Sequence, residues 1–197
     1  MGRRILIING SERVNGNTDT IIKNLLKGAE NTDTNIKYYV LRNKNIKGCN
    51  GCYYCYDNDI CAIKDDMQDI YDDIQKSDLV ILASPMYWWG VTGLMKTFID
   101  RLYLYYPKRN GHLVAGKKLL LVLPMNVNEK QHGRETYLSE IEPIQMTSKY
   151  IFKRLGIKII DIVFYSGLNA RGDAAKNKEY LKTAYELGQK LVQLCQT

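Results

Sequence analysis

Four of the chain's five cysteines fall in the stretch Cys49-Asn50-Gly51-Cys52-Tyr53-Tyr54-Cys55-Tyr56-Asp57-Asn58-Asp59-Ile60-Cys61, spaced C-x2-C-x2-C-x5-C. Cys195 stands alone near the far end. Closely spaced thiols can pair as disulfides, ligate zinc or hold an iron-sulfur cluster, and soft thiolates suit the last two. Two disulfides in one tight loop would rarely meet the required Cβ separation and dihedral together. Zinc usually sits between two C-x2-C knuckles about a dozen or more residues apart, whereas here three thiols crowd one loop. Three cysteines at intervals of three with a fourth nearby match the run that wraps a [4Fe-4S] cubane. The Asp57-Asn58-Asp59 segment has the turn chemistry to bring Cys61 back. The spacing alone leaves all three fates open.

A second group of polar residues suits a phosphate. Ser11, Asn17 and Thr18 offer side-chain donors, Arg13 adds positive charge, and a helix beginning near Asn17 presents free amides and its dipole. Gly10 and Gly16 are expected to let backbone amides turn inward. Neither G-x4-G-K-[S/T] nor G-x-G-x-x-G is present, so the loop suits a terminal monophosphate. A third group, Ser84-Pro85-Met86-Tyr87-Trp88-Trp89-Gly90-Val91-Thr92-Gly93, brings two tryptophans and a tyrosine to another strand end. A planar ring beside a monophosphate points to FMN. The plainer readings are a polar strand-to-helix turn, and tryptophans used for packing or for a subunit interface.

Elements of a doubly wound sheet would position these groups. Ile5-Leu6-Ile7-Ile8 and Leu79-Val80-Ile81-Leu82-Ala83 are continuous apolar runs of the kind found in strands covered on both faces. Further strands are expected at Ile36 to Leu41, Lys118 to Leu123 and Ile157 to Tyr165. Helical spacing recurs at Ile21, Ile22, Leu25, Leu26 and Ala29, and at Met67, Ile70, Tyr71 and Ile74, where Asp65 and Asp66 suit the helix start. Leu94, Met95, Phe98, Ile99 and Leu102 carry the next helix. Arg134 to Leu155 is mostly helical, with Pro143 as a point where it can be interrupted, after a loop-like Asn126 to Arg134. Leu181 to Cys195 stripes a last helix, with Cys195 packed in the core. Alternating strands and helices predict an α/β fold: a flavodoxin-like three-layer sandwich with a five-stranded parallel sheet, order 2-1-3-4-5. Its ligand should lie outside the carboxyl ends of strands one and three. One domain over 1–197 is expected, with a cysteine-rich loop insertion at 43–65.

The composition is that of a globular protein, 45% hydrophobic and 25% charged. No apolar run reaches the about 18 residues of a membrane span, and Met1-Gly2-Arg3-Arg4 shows no cleavage pattern, so a cytoplasmic location without membrane attachment is expected. That compartment disfavours structural disulfides. The formal charge of +7 raises nucleic-acid binding, but the basic pairs Lys117-Lys118 and Lys153-Arg154 are short and scattered, so no specific nucleic-acid partner is expected.

Gly10-Ser11-Glu12-Arg13 with Gly16-Asn17-Thr18, then Ser84-Pro85-Met86-Tyr87-Trp88, then Lys96-Thr97-Phe98-Ile99-Asp100-Arg101, resemble the NAD(P)H-dependent FMN reductase superfamily. With Cys49, Cys52, Cys55 and Cys61 added, the chain resembles the iron-sulfur flavoprotein family over residues 4 to about 101. The resemblance implies an oxidoreductase with FMN at the sheet edge, its phosphate on Ser11, Arg13, Asn17 and Thr18 and its ring bordered by Pro85, Met86, Tyr87 and Trp88. It also implies a [4Fe-4S] cluster on the four cysteines, a homodimer or dimer of dimers (homotetramer), and electrons from NAD(P)H or ferredoxin. Met125 to Asn128 should approach the ring, and Asp100 and Arg101 should form a structural ion pair. No side chain is assigned a catalytic role, because electron transfer needs no protein acid or base. The rivals are an FMN-only, quinone-type reductase with structural or zinc-binding cysteines, and a non-enzymatic redox sensor on the same scaffold.

Overall fold

Five parallel strands lie in the order β2-β1-β3-β4-β5, namely β1 (Arg3–Asn9), β2 (Thr34–Val40), β3 (Leu79–Ala83), β4 (Lys118–Pro124) and β5 (Lys158–Tyr165). This is the expected sheet, seen in a computed structural model that describes residues 2–106 and 110–196. The expected domain of 1–197 extends beyond the described residues, and the expectation drawn at Met1 lies outside them. Among those residues, no helix is long and apolar enough to cross a membrane.

Successive strand residues point to opposite faces, so the sheet builds two cores. Ile5 and Ile7, with Leu79, Ile81, Leu120 and Val122, face α1 (Asn17–Ala29) and bury Ile21, Ile22 and Leu25. Leu6 and Ile8, with Val80, Leu82, Leu119 and Leu121, pack against the other side's helices, including α3 (Met67–Lys76) and α4 (Gly93–Arg101). Both faces are covered, which is why the strands read as unbroken apolar runs. The helices α2 (Tyr54–Asp57), α5 (Glu129–His132), α6 (Arg134–Arg154), α7 (Asp173–Lys176), α8 (Lys178–Gln189) and α9 (Leu191–Leu194) complete the order.

Gly28 of α1 and Gly188 of α8 bring two backbones into contact. A Cβ on Gly28 would run into the Tyr185 carbonyl, and one on Gly188 into the Leu25 carbonyl. Two expectations are corrected, and the open point at Pro143 is resolved. The second strand ends at Val40, and Leu41 begins a 3-10 turn. The segment after β4 contains α5 rather than only loop. α6 runs unbroken through Pro143, because Ile141, Ile144, Ser148 and Phe152 keep one face buried across the hydrogen bond that proline removes. Cys195 is buried in the core with Leu191 and Ala184.

Candidate functional site

A cavity of about 450 Å³ opens beyond the carboxyl ends of the strands. Ser11, Arg13, Asn17 and Thr18 line one part of it, and Pro85, Met86, Tyr87 and Trp88 line another. Trp89, Pro124, Met125, Asn126, Val127, Glu140, Leu168 and Asn169 complete the wall. Of the loop after β4, Met125 to Val127 reach the cavity. Strands one and three are neighbours whose following helices lie on opposite sides of the sheet, and the crevice forms where the chain parts.

The first loop is shaped by a buried polar network. Asn9, at the end of β1, donates from Nδ2 to Asp19 Oδ1 at 2.7 Å and to the Tyr38 hydroxyl at 2.8 Å. Its Oδ1 accepts the Ser11 amide at 2.9 Å. Asp19, in the first turn of α1, accepts the Asn15 amide at 2.7 Å, which fixes Asn15 in the left-handed region at φ 53°. Arg42 closes the set: it grips Asp19 through Nη1 and Nη2 at 3.2 and 2.9 Å and donates to the Ser11 carbonyl at 2.9 Å. Arg42 thus offsets a carboxylate that would otherwise repel an anion at the helix N-terminus. Burial outweighs the Asn9 hydrogen bond and raises the Tyr38 phenol above its ordinary pKa, keeping it a donor or acceptor without charge.

Two details differ from the sequence reading. The Gly10 amide donates to the Ala83 carbonyl at 2.8 Å and the Gly16 amide to the Arg13 carbonyl at 3.2 Å, so neither turns inward. Gly10 is needed for space, since a Cβ there would lie 2.7 Å from Met95 Cβ. Asn17 also serves the wall. Its Nδ2 donates to the Ala170 carbonyl at 2.9 Å and its Oδ1 accepts the Ala174 amide at 3.1 Å, holding the loop that carries Leu168 and Asn169. No side chain caps the start of α1, which leaves its first amides to a ligand or water.

After β3 the chain makes a two-residue hairpin in which Tyr87 and Gly90 exchange backbone bonds of 2.9 and 3.0 Å. Trp88 and Trp89 occupy its corners at φ 48° and 58°, a left-handed conformation that costs a bulky residue about 1–2 kcal/mol each. Trp88 is 88% exposed. Thr92 caps α4 and donates to the Gly10 carbonyl at 2.6 Å, tying this segment to the first loop.

The four clustered cysteines lie on the loop between β2 and α3. Cys49 and Cys52 are exposed, while Cys55 and Cys61 are half-buried against the core. No disulfide joins any of the five cysteines. Burial, then the neighbouring Cys61, push the Cys55 thiol up, and Cys49 and Cys52 add to the effect. The loop is closed at its base, where Asp66 accepts the Asn45 amide at 2.8 Å and Asp65 the Lys47 amide at 2.9 Å.

The expected ion-pair residues each find another partner. Lys96 pairs with Asp100 one turn away at 2.6 Å, and Arg101 pairs with Asp65 at 2.6 Å, both side chains fully buried. Arg101 also donates to the Lys47 carbonyl at 2.8 Å, the Ile63 carbonyl at 3.4 Å and Cys61 Sγ at 3.4 Å. Its Nε is buried without a partner among the described residues. Burial pushes Asp65 up, but the bonds from Arg101 and from the Lys47 and Met67 amides outweigh it and hold the carboxyl below the usual carboxylate range.

The cavity fits a monophosphorylated planar ring in its donor chemistry, with an uncapped helix start and Arg13 in one part and aromatic side chains in another. The thiol loop fits a thiolate-held centre in its donor set and in the orphaned Arg101 Nε beside it. Among the described residues, no three or more His, Cys, Asp or Glu are gathered as a metal site. Asp19, Arg42, Tyr38 and the Asp65–Arg101 pair escaped the sequence reading. A polar Asn9 ending an apolar run was the one available signal.

Residues 3–138 match the NADPH-dependent FMN reductase family. An iron-sulfur flavoprotein of Archaeoglobus fulgidus is 40% identical over 96 residues, 49% of this chain and 44% of that protein. The chain spans about half the length of the curated relatives that it matches at this level. The iron-sulfur flavoprotein MJ1083 of Methanocaldococcus jannaschii is 26% identical over 97% of this chain and 96% of its own. Among solved structures, an NAD(P)H:quinone oxidoreductase from Methanothermobacter marburgensis superposes with a TM-score of 0.74 at 15% identity, covering 97% of this chain and 98% of the other. That likeness shows the flavodoxin-like fold.

Proposed function

The chain belongs to the NADPH-dependent FMN reductase family, and on that premise we propose that it is an FMN-dependent oxidoreductase in which the flavin is paired with a [4Fe-4S] cluster. The observation that carries the reading is the meeting of all eight expected side chains, from two distant loops, in one cavity at the strand ends. Ser11, Thr18 and Arg13 would hold the phosphate with the first amides of α1, and Asn17 would steady the wall beside them. Pro85, Met86, Tyr87 and Trp88 would border the isoalloxazine. Cys49, Cys52, Cys55 and Cys61 would be the cluster ligands.

FMN accepts a hydride and releases electrons singly, while a cluster passes one at a time, which is the reason to pair them. The chain's own side chains bind, orient and exclude water, and none is asked to move a proton. NAD(P)H or ferredoxin is the proposed donor, the cytoplasm the proposed site, and a homodimer or homotetramer the proposed assembly. The exposed Trp88 at the cavity lip agrees with cover from a neighbouring subunit.

Oxygen-free purification followed by flavin, iron, sulfide and zinc analysis tests the reading. About one FMN with four iron and four sulfide per chain is expected, and bleaching of the flavin by NAD(P)H or reduced ferredoxin should follow. Protein that takes up neither flavin nor iron after reconstitution would sink it. A second reading, an FMN-only reductase with structural or zinc-binding thiols, is favoured by the exposure of Cys49 and Cys52. Flavin without iron would select it.

A further inference from the structure

We propose that Arg101 hydrogen-bonds the metal centre of the cysteine loop directly, through Cys61 Sγ and through one inorganic sulfide next to it. This rests on the cluster reading above. The guanidinium has five N–H donors, and three of its acceptors are fixed by the fold: the Asp65 carboxylate and the carbonyls of Lys47 and Ile63. They come from both sides of the thiol stretch, so one buried side chain spans the loop's entry and exit. A role confined to holding the loop would be complete with those bonds.

One donor, Nε, goes beyond it, and Nη2 is shared with a further acceptor. Nη2 reaches Cys61 Sγ at 3.4 Å, and Nε is buried with no partner among the described residues. Nε and Nη2 share one edge of the planar guanidinium, the edge with which arginine grips two acceptors at once. One of these acceptors is a thiol of the proposed ligand set. The second position lacks an acceptor from the described protein, and a buried donor in that state is costly enough that native structures rarely retain one. A cluster sulfide beside Cys61 would supply the missing acceptor. Hydrogen bonds and positive charge at cluster sulfur favour the reduced, more negative form and so raise its potential. Arg101 is therefore a positioning and tuning residue, with Asp65 as the counter-charge that tempers it.

The experiment is redox titration of the anoxically reconstituted holoprotein, wild type beside Arg101→Lys and Asp65→Asn, with iron and sulfide measured in each. Arg101→Lys should keep a cationic head but lose the two-donor edge, shifting the cluster potential downward. Asp65→Asn should leave the guanidinium unopposed and shift it upward. Opposite signs are the signature. Equal potentials, or two shifts of the same sign, would show that the pair only supports the loop and would overturn the proposal. Should either variant fail to fold, pulsed EPR of the reduced wild-type protein labelled with 15N-arginine decides. A guanidinium nitrogen coupled to the cluster is expected, and none would overturn the proposal while leaving the cluster reading intact. Wild-type protein that loads no iron would end both.

Discussion

The two ends of the candidate redox path are built differently. Around the first loop, regular elements meet at a sheet edge, and the Asn9–Asp19–Arg42 network sets its shape from strand, helix and turn together. The cysteine loop has one short helix, two exposed thiols and a single buried anchor at its base. The first region is tied together by the chain's own hydrogen bonds. The second has its base fixed, and under the proposed reading gathering its thiols would fall to the centre they bind, in the way that metal binding and local folding are coupled.

That contrast can be broken from either side, and the largest effect should come from the anchor. Arg101→Ala strands the Asp65 carboxylate in the core, which should cost about 3–5 kcal/mol in denaturant unfolding. A loss below 1 kcal/mol would mean that the base of the loop is not held by this pair. The depressed Asp65 carboxyl also sets a pH dependence. Its contribution is complete above the unfolded carboxylate value of about 3.9 and drains as pH falls through its lower folded value. Asp65→Asn should flatten that acid-side slope, and an unchanged acid unfolding profile would contradict it.

Next comes the network behind the first loop. Asp19→Ala removes the acceptor shared by Asn9, Asn15 and Arg42 and should cost about 3 kcal/mol, with FMN affinity falling at least about tenfold. Loss of stability with flavin affinity unaltered would separate the network from the cavity. A smaller effect on stability is expected from Ser11→Ala with Thr18→Ala, whose loss falls on binding. Losing hydrogen bonds to a charged phosphate is worth about 1.5–3 kcal/mol each, so binding titrations should show a weakening of about tenfold to a hundredfold per bond. Unaltered binding would move the phosphate elsewhere. The least effect on stability belongs to Cys52→Ala, an exposed position whose change should stay within about 0.5 kcal/mol. Iron should nevertheless vanish while flavin remains, and retained iron would remove Cys52 from the ligand set.

Most of the architecture was legible because burial on both faces writes itself into continuous apolar strands such as Ile5 to Ile8 and Leu79 to Ala83. The cavity residues were legible because strand ends and polar, glycine-bearing loops mark where a doubly wound sheet opens. What stayed hidden was pairing at a distance. Asp19 and Arg42 are separated by a helix and a strand, and Asp65 and Arg101 by still more chain, so no local pattern announces either. Asp65 read as a helix-start acid because it is one: it accepts the Met67 amide while also gripping Arg101. Gly10 misled because the demand on it comes from Met95, far along the chain.

Both tryptophans of this protein sit side by side in the hairpin after β3, on the wall of the cavity. Its ultraviolet-excited indole emission therefore originates at one address. A yellow chromophore entering there would absorb that light by energy transfer, so the dimming of native fluorescence during a titration gives a label-free occupancy curve with no background from indoles elsewhere.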